Sequence, residues 1–339
     1  MKLILHPARL DLRYTFKISR RAFDYQNHLV VELRHEGISG YGEATHNPYY
    51  PNTAIPRLIS TLESLRSEIE AHTPQTPEDF WLKMKPQLSD YPFALCALDV
   101  AMHDWCARKA GLPLHAYWGL DASSKPGTSF TLSIDDPEMM IQRMEEMSWD
   151  CYKIKLGTPD DIGLIRKLRQ HSTASFRVDA NCAWTAQETI EKSKLLRDLG
   201  VEFIEQPLKA EAWQDMQEVY KHCALPLIAD ESCRSEADVD RCPDHFDGIN
   251  IKVMKCGGLT PALRMIRRAR VLDLKVMVGC MTESTVGISA IAHLLPLLDY
   301  ADMDGPLFLQ KDVATGVLIT REGIHYAEGA GTGVELHAS

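Results

Sequence analysis

The sequence predicts an α/β protein built on a (β/α)8-type barrel, a modified TIM barrel, carrying an α+β capping domain. Three observations lead there. From Thr128 onward, strand and helix signals alternate about every 25 residues, the rhythm of parallel strands joined by helical crossovers. Eight strand candidates fall at 129–134, 152–156, 176–179, 202–205, 227–230, 248–252, 275–279 and 301–304. Nearly every one ends in a charge: Lys155, Asp179, Glu205, Asp230, Lys252, and the pair Asp302 and Asp304. A barrel gathers its functional groups at the C-terminal ends of its strands. Eight such units suit a closed barrel better than a doubly wound sheet, which more often has six strands and a glycine-rich first turn.

The elements follow in chain order. Residues 29–33 read as a strand, His35-Glu36-Gly37 as its turn, and 39–43 as the returning strand. A loop rich in aromatics and turn formers occupies 44–51. Ile59, Leu62, Leu65 and Ile69 recur at helical spacing, and a longer helix runs from Pro92 to a stop at Gly111. The small residues of that helix predict close packing against another element. A linker is expected at 121–127. In the barrel, Thr185 with Glu188 forms a capping box, and Thr260-Pro261 opens a helix with proline at its first position. Gly329, Gly331 and Gly333 follow no strand-to-helix unit, so they read as a tail return rather than a nucleotide loop.

Composition narrows the function. The chain has 339 residues, 45% hydrophobic and 25% charged, enough for one large or two unequal globular domains. A formal charge of −10 argues against nucleic acid or an anionic membrane as partner, leaving a small molecule. Nine scattered cysteines without a CxxC pair read as reduced thiols, hence a cytoplasmic protein. No run of 18 apolar residues predicts a membrane span, and His6, Pro7, Arg9 and Asp11 interrupt any secretory segment.

In strand 152–156 the period of 2 points Lys153 and Lys155 the same way. Two ammonium groups side by side in an apolar strand repel each other and lose hydration, so each is expected to shed its proton readily, as a general base must. Asp179, Glu205 and Asp230 end three successive strands and so share one rim, an arrangement that is repulsive without a cation between them. Oxygen ligands without His or Cys point to Mg2+ rather than zinc. Lys155 and Lys252 flank the acids and are expected to face each other across the metal.

Together Lys153-x-Lys155, Asp179-x-Asn181, Glu205-Gln206-Pro207, Asp230-Glu231-Ser232 and Asn250-Ile251-Lys252 with Gly257-Gly258 resemble the enolase superfamily, in its muconate-lactonizing-enzyme subgroup. Asp302-Met303-Asp304-Gly305-Pro306 resembles the signature of dipeptide epimerases, such as L-Ala-D/L-Glu epimerases. The resemblance implies a capping domain of residues 1–124, completed by the tail at about 310–339, over a barrel of 125–309. It implies an isomerase with one Mg2+ per subunit, acting in peptidoglycan peptide metabolism through an enediolate. Lys155 and Lys252 would be the acid/base pair, with Lys153 depressing the pKa of Lys155 and Lys255 off the inward face. Asn181, Glu231 and Gln206 would support the metal ligands. Asp302 and Asp304 would take the substrate ammonium, and Arg21, in a mobile loop at 16–21 that includes Arg20, a glutamate carboxylate. Thr131, Tyr49, Tyr50 and the run Thr282-Glu283-Ser284-Thr285 would complete the pocket. A homo-oligomer is compatible with the family.

Three other readings compete. A dipeptide epimerase of hydrophobic specificity would have no use for Arg21. N-acyl amino acid racemisation and o-succinylbenzoate synthesis use the same lysines, but their substrates have no use for Asp302 and Asp304. A non-catalytic binder on a decayed barrel should have lost a lysine or an acid, and none is missing.

Overall fold

The computed structural model describes residues 1–18, 21–72, 75–123 and 125–337. Ser19 and Arg20 of the expected loop, and Ser124 of the expected linker, lie outside the described residues. The chain opens with an antiparallel sheet of β1 (Lys2–Ile18), β2 (Arg21–His35) and β3 (Ile38–Thr45). Between β2 and β3, Glu36 and Gly37 both hold positive φ, 52° and 77°, the geometry of a two-residue hairpin turn.

β1 is an addition to the sequence reading. Its 17 residues bury only a few side chains, so the apolar alternation that announces a strand is weak. β1 pairs with β2 from Lys2 opposite Arg34 to Ile18 opposite Arg21, with an irregularity between Asp11 and Phe16. The segment expected as a mobile loop is therefore, among its described residues, paired strand on both sides of the tip.

The expected helix at 59–69 is broken at Leu65 into Ile55–Ser64 and Arg66–Glu70. A helix not expected, Pro77–Leu88, is capped by Thr76, whose side chain accepts from the Asp79 amide. The long helix Pro92–Lys109 is buried along almost its whole length. Its small residues meet glycines of β3: a Cβ at Gly42 would overlap the Ala97 carbonyl, and one at Gly40 the Ala101 carbonyl. That approach sets the cap's core, where truncating a side chain such as Trp105 to alanine costs about 3–5 kcal/mol.

Eight parallel strands follow: β4 (Phe130–Leu132), β5 (Cys151–Lys155), β6 (Ser175–Asp179), β7 (Val201–Glu205), β8 (Leu227–Ala229), β9 (Gly248–Ile251), β10 (Lys275–Gly279) and β11 (Tyr300–Asp302). They pair in sequence order, and a parallel bridge between Thr128 and Ala301 joins the two edges. The Ser129 amide donates to the Ala301 carbonyl at 3.2 Å across that closure. The capping box of Thr185 and Glu188 forms. The helix Leu259–Val271 starts earlier than expected, after Gly258 at φ 131°, so Pro261 sits within its first turn rather than at its first position.

The tail returns to the cap. Gly329, Gly331 and Gly333 adopt φ of 107°, 71° and 71°, a path that side-chain-bearing residues rarely follow. Gly331 donates to the Leu112 carbonyl and accepts from the Leu114 amide, both at 2.8 Å, and Arg108 Nη2 donates to the Val334 carbonyl at 2.6 Å. Among the described residues no helix is long and apolar enough to cross a membrane.

Candidate active site

The strand ends bring the predicted residues together. On β5 the alternation turns Lys153 and Lys155 inward, where both are buried. Lys155 stands opposite Asp179 in the β5–β6 register, and Asp179 opposite Glu205 in the β6–β7 register, so the three are neighbours on one rim. Asp230 and Lys252 follow the last residues of β8 and β9. β5 and β9 lie four steps apart in a ring of eight, so Lys155 and Lys252 occupy opposite walls.

The lysines are bound to the acids. Lys155 Nζ donates to Asp179 Oδ2 at 2.7 Å, and Lys252 Nζ to Asp230 Oδ2 at 2.9 Å. Lys153 Nζ lies 2.8 Å from Glu205 Oε2, 2.9 Å from Asp302 Oδ2 and 3.4 Å from Asp179 Oδ2. Lys255, expected off the inward face, donates to the Asp230 carbonyl at 2.9 Å and pairs with Asp230 Oδ1. The inward turn of Lys255 has a simple cause. Lys252 leads into a one-turn helix, Val253–Cys256, and residues three apart on a helical turn share a face.

These contacts overturn the expectation that Lys153 sheds its proton. Burial alone would lower its pKa, but Asp302, Glu205 and Asp179 outweigh burial and hold it well above the ordinary lysine value. Lys252 is likewise raised, with Asp230 overcoming burial. Burial works against Asp179 and Asp230 too, yet Lys155 and Lys153 hold Asp179 at about 2, and Lys252 and Lys255 hold Asp230 lower still. Glu205 goes the other way, to about 7, because burial and the neighbouring Asp179 outweigh Lys153.

A cavity of about 210 Å³ opens above the lysines. Lys153, Lys155, Asp230, Glu231, Asn181 and Lys252 line it from the barrel, together with Thr131, Asp302 and Asp304. Asp179 and Glu205 are fully buried and contact it through Lys153 and Lys155. Asp302 is engaged by Lys153, by Ser129 Oγ at 3.0 Å and by Thr131 Oγ1 at 3.4 Å. Asp304 accepts the Thr131 amide at 2.5 Å and is also bonded by the Thr131 side chain, while burial beside Asp302 pushes it to about 7.

Glu283 and Ser284 do not line the cavity. Ser284 caps the helix Thr285–Ala292 and bonds Glu43 of β3 through its amide (3.0 Å) and its hydroxyl (2.6 Å). Glu283 accepts the Met281 amide at 2.8 Å and is pushed to about 8 by burial and Glu43. Both belong to the joint between cap and barrel. Of the run expected there, Thr282 does line the cavity, with Met281 before it, as do Tyr49, Tyr50 and Arg21. Gln206 serves the backbone: its side chain receives the Asp230 and Ser232 amides at 2.9 and 3.0 Å. Gln206 and Asn181 hold φ of 37° and 44°, a strained path at the ends of two acid-bearing strands. Lining residues absent from the sequence reading include Gln26, Asn47, Arg234 and Phe308.

As the side chains stand, no three His, Cys, Asp or Glu groups among the described residues converge closely enough to hold an ion. The lysines occupy the carboxylate oxygens instead. The donor set nevertheless suits a hard divalent cation. It is all oxygen, Glu205 is destabilised by like charge, and the buried Asn181 Oδ1 has no hydrogen-bond partner.

Residues 138–339 match the model described as enolase C-terminal domain-like, and residues 2–119 match the N-terminal domain of mandelate racemase / muconate lactonizing enzyme. The chain belongs to the enolase superfamily. Among superfamily relatives, an L-Ala-D/L-amino acid epimerase of Flavobacterium johnsoniae is 53% identical over 99% of this chain and all of that one. Solved structures of enolase-superfamily type align over nearly the whole chain. A dipeptide epimerase from Cytophaga hutchinsonii, complexed with Mg and D-Ala-L-Val, superposes with TM-score 0.94 at 27% identity, covering 99% of this chain and 95% of that one. A substrate-liganded L-Ala-D/L-Glu epimerase from Bacillus subtilis gives TM-score 0.94 at 26% identity, covering both chains fully.

Proposed function

We propose that this enolase-superfamily chain is an isomerase, a dipeptide epimerase that inverts the α-carbon of the C-terminal residue of a dipeptide such as L-Ala-D/L-Glu. The observation that carries the reading is the pair Lys155 and Lys252 on opposite walls of one cavity, with carboxylates between them. Inversion by 1,1-proton transfer needs two groups of that kind, one on each face of the carbon. One lysine takes the α-proton and the opposite lysinium returns a proton to the other face. Asp230 keeps Lys252 charged as the residues stand, which suits it to donate.

Asp179, Glu205 and Asp230 would hold one Mg2+ per subunit, which supplies the positive charge that a carboxylate acquiring a second negative charge requires. Relatives crystallised with Mg support that assignment. Asp304, which meets no cationic side chain as closely as Asp302 meets Lys153, together with Asp302 would receive the substrate ammonium. Arg21 would receive a glutamate side chain, and Thr131 would set the orientation of both aspartates. Residues 1–124 with the tail 310–339 would act as a single cap over the barrel of 125–309, a reading that the tail's bonds to Leu112, Leu114 and Arg108 support.

A screen of L-Ala-X and X-Glu dipeptides in D2O with Mg2+, read as mass increase, tests the reading. One deuterium should enter the α-carbon of the C-terminal residue of L-Ala-X substrates. Exchange confined to N-acylated amino acids would replace the reading with N-acyl amino acid racemisation.

A further inference from the structure

Lys155 and Lys252 are anchored by different parts of the fold. The turn after Lys155 is closed within the barrel: the Leu156 amide donates to the Asp179 carbonyl at 2.9 Å, and Asp161 Oδ1 receives the Gly157 and Thr158 amides at 3.0 and 2.8 Å. The turn after Lys252 is gripped from outside the barrel. Trp81, on the helix Pro77–Leu88, donates its Nε1 to the Gly257 carbonyl at 2.8 Å, and the hydroxyl of Thr45, at the end of β3, reaches Met254 Sδ at 3.6 Å. Asp99, on the long helix Pro92–Lys109, is fully buried and accepts the Thr260 amide at 2.8 Å and the Thr260 hydroxyl at 2.7 Å.

Those contacts reach Lys252 through a closed turn. Its carbonyl accepts the Lys255 amide at 2.8 Å, and the next carbonyl, that of Val253, receives the amides of Gly257 and Gly258 at 3.2 and 3.0 Å. Gly257 and Gly258 take φ of 90° and 131°, and a Cβ at Gly258 would overlap Asp99 Oδ2. A residue without a side chain lets that carboxylate reach the start of the helix Leu259–Val271, where the helix dipole favours negative charge. The segment that begins at Lys252 is thereby pinned at its far end by the cap.

Taking the two-lysine reading as its basis, we propose that Asp99 and Trp81 are positioning residues for Lys252 and not for Lys155, so that the seating of the cap sets proton transfer on one face of the substrate carbon while the barrel alone sets it on the other. Proton transfer is sensitive to such placement, since a shift of ~1 Å can cost roughly a hundredfold in rate. Asp99→Asn turns one accepting oxygen into a donor against Thr260. Trp81→Phe keeps an aromatic ring but removes the bond to the Gly257 carbonyl. Neither variant touches a group that contacts the substrate.

The test follows α-deuterium entry from D2O, with Mg2+, into each epimer of L-Ala-Glu supplied separately. Lys155→Ala identifies the epimer that Lys252 deprotonates, because only Lys252 remains to label it. In Asp99→Asn and Trp81→Phe, the initial rate for that epimer relative to the other should fall about tenfold or more, because Lys155 still removes and returns the proton of the other epimer. A merely weakened fold lowers both rates together and leaves their ratio unchanged. If Asp99→Asn fails to fold, Trp81→Phe decides alone. A ratio within about threefold of wild type in every variant that folds, or one that moves against the Lys155 epimer, overturns the inference while leaving the two-lysine reading intact. A wild type that labels neither epimer defeats the reading and the inference together.

Discussion

Replacing Lys153 by methionine should destabilise the whole protein and not only impair turnover. Its ammonium is buried and sits 2.8, 2.9 and 3.4 Å from three carboxylates, those of Glu205, Asp302 and Asp179. Removing one partner of a buried ionic cluster typically costs about 3–5 kcal/mol, because the remaining charges stay desolvated. For a domain of this size each kcal/mol moves the melting temperature by roughly 2–4 °C, so a loss on the order of 10 °C is expected. The loss should depend on pH with a defined sign. Without Lys153 the folded pKa values of the acids rise, and Glu205 already stands near 7. An acid whose folded pKa is raised binds more protons folded than unfolded, so stability falls as pH rises from its ordinary value through the folded one. Metal-free melting curves, by circular dichroism, should therefore show a larger deficit at pH 8.5 than at pH 5.5. Adding Asp302→Asn to the variant should recover part of it. A variant that melts within a degree of wild type at pH 8.5, or one that suffers more in acid, would refute the reasoning.

Three further outcomes are expected. Asp230→Asn should weaken Mg2+ binding in calorimetry by removing one ligand charge, and EDTA should abolish turnover reversibly; full activity of metal-free protein contradicts the metal assignment. N-acetylation of the dipeptide removes the ammonium that would offset the charge of Asp302 and Asp304, and a desolvated charge pair is worth about 2–5 kcal/mol, so kcat/KM should drop well over tenfold. Burial holds His103 and His293 neutral down to about 3. The unfolded chain protonates them near 6.5, so stability should be lost as pH falls below that value, by about 1.4 kcal/mol per pH unit for each histidine. His293→Asn should flatten the acid limb of the melting temperature by about one proton's worth of slope, and an unchanged limb would argue against it.

Much of the barrel was legible because its strands are short, apolar and end in charges. The acid and lysine positions follow from strand ends, and the registers of β5, β6 and β7 put Lys155, Asp179 and Glu205 side by side. What the sequence concealed depends on three-dimensional neighbours. Lys153 reads as a lysine beside a lysine, yet strand β11, some 150 residues away, delivers Asp302 to it and reverses its electrostatics. Lys255 lies beyond the strand, and only the tight helical turn after β9 aims it inward. Ser284 reads as a polar loop residue above a pocket, but it is consumed as a helix cap and as a partner of Glu43. β1 was missed because its residues are mostly part-exposed, whereas the helix Pro77–Leu88 had readable signals in Thr76, Pro77 and Asp79.

The central claim is that Lys155 and Lys252 work on opposite faces of one carbon, and isotope exchange by single-lysine variants tests it most directly. Lys155→Ala and Lys252→Ala, each with Mg2+ in D2O, would be given the two epimers of L-Ala-Glu separately while α-deuterium is followed by mass spectrometry. Neither variant should interconvert the epimers. Each should label only the epimer whose α-proton faces the surviving lysine, and the two should label opposite epimers. Both variants labelling the same epimer, or either one still epimerising at the wild-type rate, would contradict the account.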